Sequence, residues 1–215
     1  MNRNFRIPLL VVTAAIVLSL STCAFDIPAG ALNYVSQAQL NKLTSMGMKI
    51  NQGKKPPTVD GDYYCNSLTR TGTNIPNDSA STFANMGLRF TSQGSDNSML
   101  VSYNQSGIEI GTGLGAFISG SGSDFSIFAQ ITGTYNGINF KDAMIFSGTM
   151  TAGGIKDFVY ALLLTEKDPD PAGYLIEVDQ GRVIAENDKL AATAVSYPNA
   201  MIEKGLQHLS SGTSR

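Results

Sequence analysis

The residue types that most often perform catalysis are scarce in this chain. It has one histidine, His208, and two cysteines, Cys23 and Cys65, among 215 residues. A hydrolase triad places its histidine in a cleft beside the nucleophile, whereas His208 lies in the C-terminal tail. Zinc sites built from histidine and cysteine need more of these residues than the chain contains. We therefore predict no catalytic residues, no metal site and no cofactor, and we expect a protein that is not an enzyme.

Two other patterns could bind ligands but have simpler explanations. The glycine-rich stretch 111–115 lacks the lysine, the Ser/Thr and the helix of a phosphate-binding loop, so we interpret its glycines as a bend or bulge in a strand. Acidic residues at 168–170 and 186–188 could supply oxygen ligands to calcium. Neither group has the spacing of a calcium loop, and both stand at predicted strand ends, which favours solvated turns.

The N-terminus has the layout of a secretory leader. Arg3 and Arg6 precede an apolar run at residues 9–20, which is short for a membrane-spanning helix. Removing both arginines with the leader lowers the basic count from 15 to 13 against 17 acidic residues. An acidic chain without basic clusters disfavours nucleic acid and anionic lipid surfaces as partners.

The end of this leader resembles the lipobox of bacterial lipoproteins. In Leu20-Ser21-Thr22-Cys23, the resemblance implies that Cys23 is lipidated and becomes the first residue of the mature chain. Residues 1–23 are then the signal peptide, and the protein is anchored in the bacterial cell envelope by lipid. The periplasmic face and the cell surface remain alternatives for its location. Cleavage nearby, after Ala24 or Ala31, is the alternative. Cys65 is left unpaired, and we expect it to be buried.

The strongest fold signal is a pair of short glycine turns. Asn136 and Gly137 separate two alternating segments, which predicts a hairpin with Tyr135 opposite Ile138 and Ile127 opposite Phe146. The same rule at Gly153-Gly154 places Phe146 opposite Ala161. Both turns then agree on one buried face, because a slip of one residue would invert every side chain.

That face is predicted to be the interior of a barrel. It contains Phe125, Ile127, Ala129, Ile131, Met144, Phe146, Gly148, Val159, Ala161 and Leu163, with Asp142 as its one charged member. From this set we predict a ligand-binding interior formed by Ile127, Ala129, Met144, Phe146, Ala161 and Leu163. The small residues would leave room beside the large ones.

The remaining elements complete an all-β fold. A capping box at Ser36 and Gln39 predicts a short N-terminal helix at residues 37–46. Strands are expected at 61–65, 86–91, 99–103, 114–119 and 174–185, with a polar loop of undetermined role at 67–81. With the two hairpins these give an eight-stranded antiparallel up-and-down barrel, followed by a short C-terminal helix near residues 199–209. We expect a flexible tether at 24–35, one barrel domain at 36–210 and a loose tail at 211–215.

Several of these features together resemble the lipocalin and calycin barrels. They are the Gly61-Asp62-Tyr63 start of the first strand, the meander of eight strands, Arg182 on the last strand and the terminal helix. The resemblance implies that Tyr63 packs at the barrel base under Arg182, in place of the tryptophan of that superfamily. Residues 53–63, 118–122 and 147–155 are also similar to uncharacterised lipid-anchored proteins of Gram-negative bacteria. That likeness implies export, anchoring and a lipocalin-like barrel, but no particular ligand.

Two functional hypotheses follow. The first is an exported, lipid-anchored, lipocalin-like protein that binds a small apolar ligand inside its barrel. The alternative is an interaction or structural lipoprotein of the envelope, with a filled barrel and no ligand; its protein partner is not indicated by the sequence. Eight strands can either enclose packed side chains or hold one small ligand. A cavity of about 300 Å³ or more would favour the first hypothesis.

Overall fold

The computed structural model describes residues 28–194, and the regular structure of this part of the chain is mostly β-strand. A 3-10 helix (Ala29–Asn33) and an α-helix, α1 (Gln37–Ser45), precede twelve strands of one sheet. The strands are β1 (Lys54–Lys55), β2 (Gly61–Cys65), β3 (Leu68–Thr73), β4 (Thr82–Phe83), β5 (Met86–Thr91), β6 (Ser98–Gln105), β7 (Glu109–Ser121), β8 (Asp124–Tyr135), β9 (Ile138–Thr151), β10 (Gly154–Lys167), β11 (Gly181–Glu186) and β12 (Leu190–Thr193). Within residues 28–194 no helix has the length and apolar character needed to cross a membrane. The predicted signal peptide with Cys23, the C-terminal helix with His208, and the tail lie outside the described residues.

The sheet is mostly an antiparallel meander, and its terminal strand β12 also pairs with β10. From β5 to β11 each strand pairs with the next one along the chain, and β2 pairs with β5. The last strand, β12, pairs with both β2 and the first residues of β10, whereas β11 leads to β3 and β4. The all-β prediction is confirmed. The sheet does not close evenly as eight continuous strands. Short non-strand segments separate β2 from β3, β4 from β5, and β11 from β12.

The register predicted for the first hairpin is confirmed. Asn136 and Gly137 form the turn with φ angles of 49° and 82°. Only residues that tolerate the left-handed region suit both positions, which is why Asn-Gly marks this turn. Tyr135 pairs with Ile138, and Ile127 pairs with Phe146. Every inner residue predicted on β8 and β9 therefore faces the enclosed side of the sheet.

The register predicted for the second hairpin is wrong. Thr151 pairs with Gly154, so the turn lies one residue earlier than expected. A bulge then interrupts the pairing between Lys156 and Val159, and Asp157 within it has a φ angle of 51°. A bulge inserts one residue and exchanges the two faces of the strand beyond it. As a result Phe146 pairs with Tyr160 rather than with Ala161.

This bulge corrects the assignment of three inner residues. Val159, Ala161 and Leu163 face the outer side, where they join the cluster beneath helix α1. The inner side of β10 instead carries Phe158, Tyr160, Leu162 and Leu164. The adjacent charges Lys156 and Asp157 were the available signal, because a regular strand would turn one of them inward.

Aromatic side chains fill the middle of the enclosed space. The ring of Phe90 meets the rings of Phe125 and Phe146 edge-on, with centroids 6.4 Å and 5.7 Å apart. Phe146 in turn stacks on Tyr160 at 6.1 Å. Such pairs are each worth about 0.5–1.5 kcal/mol beyond the area they bury. The neighbouring inner residues Ile127, Ala129 and Met144 are at most 1% exposed, so this level of the sheet is closed to ligands.

A second apolar cluster lies between helix α1 and the outer face of the sheet. The capping box predicted for α1 is present, since the side chains of Ser36 and Gln39 each accept a hydrogen bond from the backbone N–H of the other. Leu40 and Leu43 are buried, and their cluster includes Leu163 of β10. The helix covers the sheet face that the bulge makes apolar.

The chain before α1 is packed, which corrects the predicted flexible tether at 24–35 over its described part. The 3-10 helix Ala29–Asn33 buries Ala31 completely, and Val35 is 1% exposed. Both residues belong to the outer cluster. Burying these apolar side chains lowers the free energy of the packed segment by more than the chain entropy that an extended segment would keep.

Two further expectations are corrected and one is confirmed. The expected loop 67–81 contains β3, which pairs with β11, and the strand expected at 174–185 begins only at Gly181. The interpretation of the stretch 111–115 as a bulge is confirmed, because the register of β7 shifts between Gly113 and Ala116.

The outer cluster provides a stability test. We expect Leu43→Ala to lower the free energy of unfolding by about 2–5 kcal/mol, because it removes a fully buried side chain and leaves a cavity. Leu32→Ala is the matched control, since Leu32 is 41% exposed and its loss should change stability by about 0.5 kcal/mol or less. Urea unfolding followed by circular dichroism measures both. Equal effects would contradict the packing of α1 on the sheet.

Candidate ligand-binding cavity

A cavity of about 400 Å³ opens at the end of the sheet where β3, β4 and β11 extend beyond the aromatic core. Most of its walls are apolar side chains. They are contributed by Phe83, Ile108, Tyr135, Phe140, Tyr160, Leu162, Leu164, Tyr174, Leu175, Ile176 and Ile184. Ile108 is 49% exposed and Tyr174 is 57% exposed, so these two residues mark the entrance. The middle of the sheet is filled, and the cavity lies at this one end.

The segment between β10 and β11 forms one wall of the cavity. Leu175 and Ile176 line the cavity and pack against the inner core. The carboxylate of Asp170 accepts hydrogen bonds from the backbone N–H groups of Leu175, at 2.8 Å, and Tyr174, at 3.0 Å. These bonds hold the pKa of Asp170 below its usual value. The acidic group at 168–170 therefore orders a turn, as the sequence indicated.

Asp142 is one of the residues that line the cavity. It is 3% exposed, and its Oδ1 atom has no hydrogen-bond partner among the described residues. Burial raises the pKa of Asp142 well above its usual value, and the nearby charge of Glu109 raises it further. A buried polar atom normally has a partner, because leaving it without one costs about 1–3 kcal/mol. One carboxyl oxygen of Asp142 therefore has no donor among the described residues.

Glu109 is the second carboxyl group of the cavity. It accepts a hydrogen bond of 2.6 Å from the hydroxyl of Tyr103. Burial raises the pKa of Glu109, and this effect exceeds the opposing effects of the Tyr103 hydrogen bond and the Arg182 charge. Gly111 makes the arrangement possible, because a Cβ there would overlap the Tyr103 ring.

Two phenols and an amide complete the polar part. Burial raises the pKa values of Tyr103 and Tyr160 well above the usual range, so both hydroxyls stay protonated. Tyr160 hydrogen-bonds to the side chain of Gln105, whose Nε2 donates to the backbone carbonyl of Ala84 at 2.9 Å. The cavity therefore combines apolar walls with a small polar patch, as ligand sites commonly do.

Arg182 lines the cavity but its charge is already matched. Its Nε and Nη2 atoms donate to the two carboxylate oxygens of Asp78 at 2.9 Å and 3.0 Å. Asp78 also receives Arg70 Nη1 at 2.7 Å. The hydrogen bond from Arg182 is the main reason that the pKa of Asp78 lies well below its usual range. The guanidinium group rests 5.6 Å from the centre of the Phe83 ring.

The structure separates Tyr63 from Arg182, which corrects their predicted packing at a barrel base. Tyr63 lies next to β12, where it pairs with Thr193, and its hydroxyl donates to the Val59 carbonyl at 2.8 Å. Burial raises its pKa to about 12. Arg182 pairs with Thr73 at the cavity end, and the aromatic ring beneath it is Phe83. The strand that carries Tyr63 ends at Cys65, and it lies near the opposite end of the strand order from β11, which carries Arg182.

None of the six residues predicted to bind a ligand lines this cavity. Ile127, Ala129, Met144 and Phe146 belong to the closed inner core. Ala161 and Leu163 belong to the outer cluster. Only Asp142, the charged member of the predicted face, reaches the cavity. Glu109 and the even-numbered residues of β10 were missed, because strand β7 begins before the expected 114–119 and because of the bulge in β10.

The other buried reactive groups lie away from the cavity. Glu186 is 2% exposed. One of its carboxyl oxygens accepts a hydrogen bond of 3.0 Å from the N–H of Asn66, which lies between β2 and β3. Cys65 is fully buried, and burial raises the pKa of its thiol well above the usual value, which makes it unreactive. Among residues 28–194 no three His, Cys, Asp or Glu side chains gather as a metal site would require.

The chain matches no protein-family model, no curated protein and no solved structure. Its function has to be argued from the cavity.

The buried carboxyl of Asp142 and the partly buried carboxyl of Glu109 predict an unusual dependence of stability on pH. Because folding raises the pKa values of Asp142 and Glu109, the folded state loses stability as the pH rises from their unfolded values, near 4, through their folded values. We expect the melting temperature to fall between pH 5 and pH 8. Asp142→Asn should remove part of this fall and raise the melting temperature at pH 8 by about 2–4 °C.

Differential scanning calorimetry at both pH values measures this effect. Asp157→Asn is the control, because Asp157 is exposed in the bulge and Asn suits its left-handed backbone. A variant at Asp142 that is less stable than the parent at pH 8 would contradict the desolvated carboxyl.

Proposed function

We propose that this protein binds small, mostly apolar molecules in the cavity described above. The observation that carries the proposal is the cavity itself, whose volume of about 400 Å³ falls within the range of small-molecule sites. Its apolar walls would contribute roughly 25 cal/mol for each Å² of ligand surface removed from water. Binding is proposed as the whole function, without an enzymatic step.

We also propose that the fold is a lipocalin-like, eight-stranded up-and-down barrel. The pairs β2 with β3, β4 with β5, and β11 with β12 are each separated by a few residues. If each pair is counted as one broken strand and the short β1 is left aside, eight strands follow one another in sequence. The double pairing of β12 supports closure of this barrel.

The protein is further proposed to be exported and anchored in the cell envelope by lipid on Cys23. The leader and its lipobox-like end support this proposal, and the membrane is then a partner through the lipid alone. Nucleic acid is not expected as a partner, since acidic residues outnumber basic ones.

One observation favours the alternative of a structural envelope lipoprotein. The aromatic core fills the middle of the sheet, and Phe146 is fully buried there. A protein whose barrel served only as a rigid body would need no more than this core. The two functions differ in whether the cavity end takes up a molecule.

Uptake of N-phenyl-1-naphthylamine, a neutral apolar dye that fluoresces when it leaves water, distinguishes them. We expect the purified protein to enhance its fluorescence with a dissociation constant in the micromolar range. Leu162→Trp should weaken this binding about tenfold or more, because Leu162 lines the cavity and the larger ring would fill it. Leu100→Trp is the matched control, since Leu100 is 44% exposed and does not line the cavity.

The outcomes separate the hypotheses. No enhancement by the parent protein would favour the structural role. Equal binding by the parent and Leu162→Trp would place the dye somewhere other than the cavity.

Anchoring has its own test. We expect Cys23→Ala, expressed as the full chain, to lose labelling by radioactive palmitate and to leave the membrane fraction. Cys65→Ala is the control, because Cys65 is buried in the inner core and should not affect lipidation. Membrane attachment of Cys23→Ala that survives washing with high salt would contradict the proposed anchor.

A further inference from the structure

The polar groups of the cavity are unequally satisfied. Tyr103 donates to Glu109, and Gln105 is held by Tyr160 and the Ala84 carbonyl. Within residues 28–194, Asp142 Oδ1 has no such partner, and its residue is only 3% exposed. Asp142 is one of the residues that line the cavity, so a donor group on a ligand that packs against this residue would lie beside its carboxyl group. This places a specific requirement on the ligand head group.

The charges around the cavity are also unbalanced. Two carboxyl groups, Asp142 and Glu109, line it, and Arg182 is the one basic residue among the described lining residues. The Nε and Nη2 atoms of Arg182 both donate to the carboxylate of Asp78. Tyr160, which also lines the cavity, adds no charge, because burial raises the pKa of its hydroxyl. The Arg182 charge acts on Glu109 from a distance, but among the described residues neither Asp142 nor Glu109 has a basic partner in an ion pair.

We propose that the cavity selects a cationic amphiphile, in which a primary ammonium group contacts Asp142 and Glu109 and a short apolar body lies against the surrounding walls. This inference rests on the proposed ligand-binding function and specifies the class of ligand. An ammonium group has three donors and one positive charge, so it can satisfy Asp142 Oδ1 and also compensate the paired carboxyls. The apolar body accounts for the side chains that form most of the lining.

Other head groups fit less well. An alcohol can donate one hydrogen bond to Asp142, but it brings no charge to balance the second carboxyl. A carboxylate would add a third acidic group to a desolvated site, and like charges brought together in such a site repel strongly. The order of preference expected from these arguments is amine, alcohol, carboxylate.

Binding of the amine should also release a proton. In the empty cavity burial favours the protonated form of Asp142, and an adjacent ammonium group favours the ionised form. The exchange balances as one neutral carboxyl plus one ammonium giving one ion pair plus one proton released to solvent. An alcohol gives no such release.

Three ligands with the same eight-carbon chain test the inference. Octylamine, 1-octanol and octanoate are each used at pH 7 to displace N-phenyl-1-naphthylamine from the purified protein. We expect octylamine to displace the dye at a concentration about tenfold or more below that of octanol, with octanoate the weakest. Calorimetry in two buffers of different ionisation enthalpy should detect proton release with octylamine only.

Variants assign the preference to the carboxyls. Asp142→Asn and Glu109→Gln should each abolish most of the preference for octylamine over octanol. Asp157→Asn, in the exposed bulge, should retain the preference. Because the readout is the ratio between two ligands on one folded variant, a general loss of stability does not imitate the result.

Two outcomes would overturn the inference while preserving the proposed function. They are equal binding of octylamine and octanol, and a preference for octylamine that persists in both carboxyl variants. Stronger binding of octanoate would likewise overturn it. Failure of the dye and of all three octyl compounds to bind would instead contradict the proposed function itself.

Discussion

The structure depends on one line of interruptions that crosses neighbouring strands. The bulge at Asp157 in β10 lies beside the turn between β11 and β12, and the Asp157 N–H donates to the Lys189 carbonyl at 2.7 Å. A second interruption separates β2 from β3. There the Asn66 N–H donates a hydrogen bond to the carboxylate of Glu186. These contacts stabilise the places where regular pairing stops. They divide the sheet into an end with a filled core and an end with a cavity.

Tyr160 is one of the residues that belong to both ends of the sheet. Tyr160 stacks on Phe146 and thereby belongs to the aromatic core, and it also lines the cavity and hydrogen-bonds to Gln105. The bulge brings Tyr160 to this position, since without it Val159 and Ala161 would face inward. The filled end supplies packing energy from close aromatic contacts, and this stability allows the other end to retain desolvated carboxyl groups.

The sequence predicts those parts of the fold that local chemistry determines. Asn136 and Gly137 adopt left-handed conformations that few other residues tolerate, so the register of β8 with β9, and with it the inward direction of Asp142, follows from the turn alone. Glu109 could not be placed in this way. The position of Glu109 depends on where β7 begins and on the Tyr103 hydroxyl that donates to it. The Tyr103 ring in turn packs against Gly111, where a larger residue would overlap it. Residue spacing along one strand reveals neither the start of β7 nor this contact.

The position of Asp142 bears on the choice between a ligand-binding and a purely structural protein. A carboxyl group that is buried without a partner for one oxygen lowers the stability of the empty fold, and an apolar side chain of similar size would avoid this cost. In a filled barrel with no ligand, nothing would offset the loss. A ligand that donates to Asp142 recovers it on binding, and the recovered free energy adds to the affinity. Glu186 Oε1 is also without a partner among the described residues but lies away from the cavity, so of these two carboxyl groups only Asp142 bears on the proposed ligand selectivity.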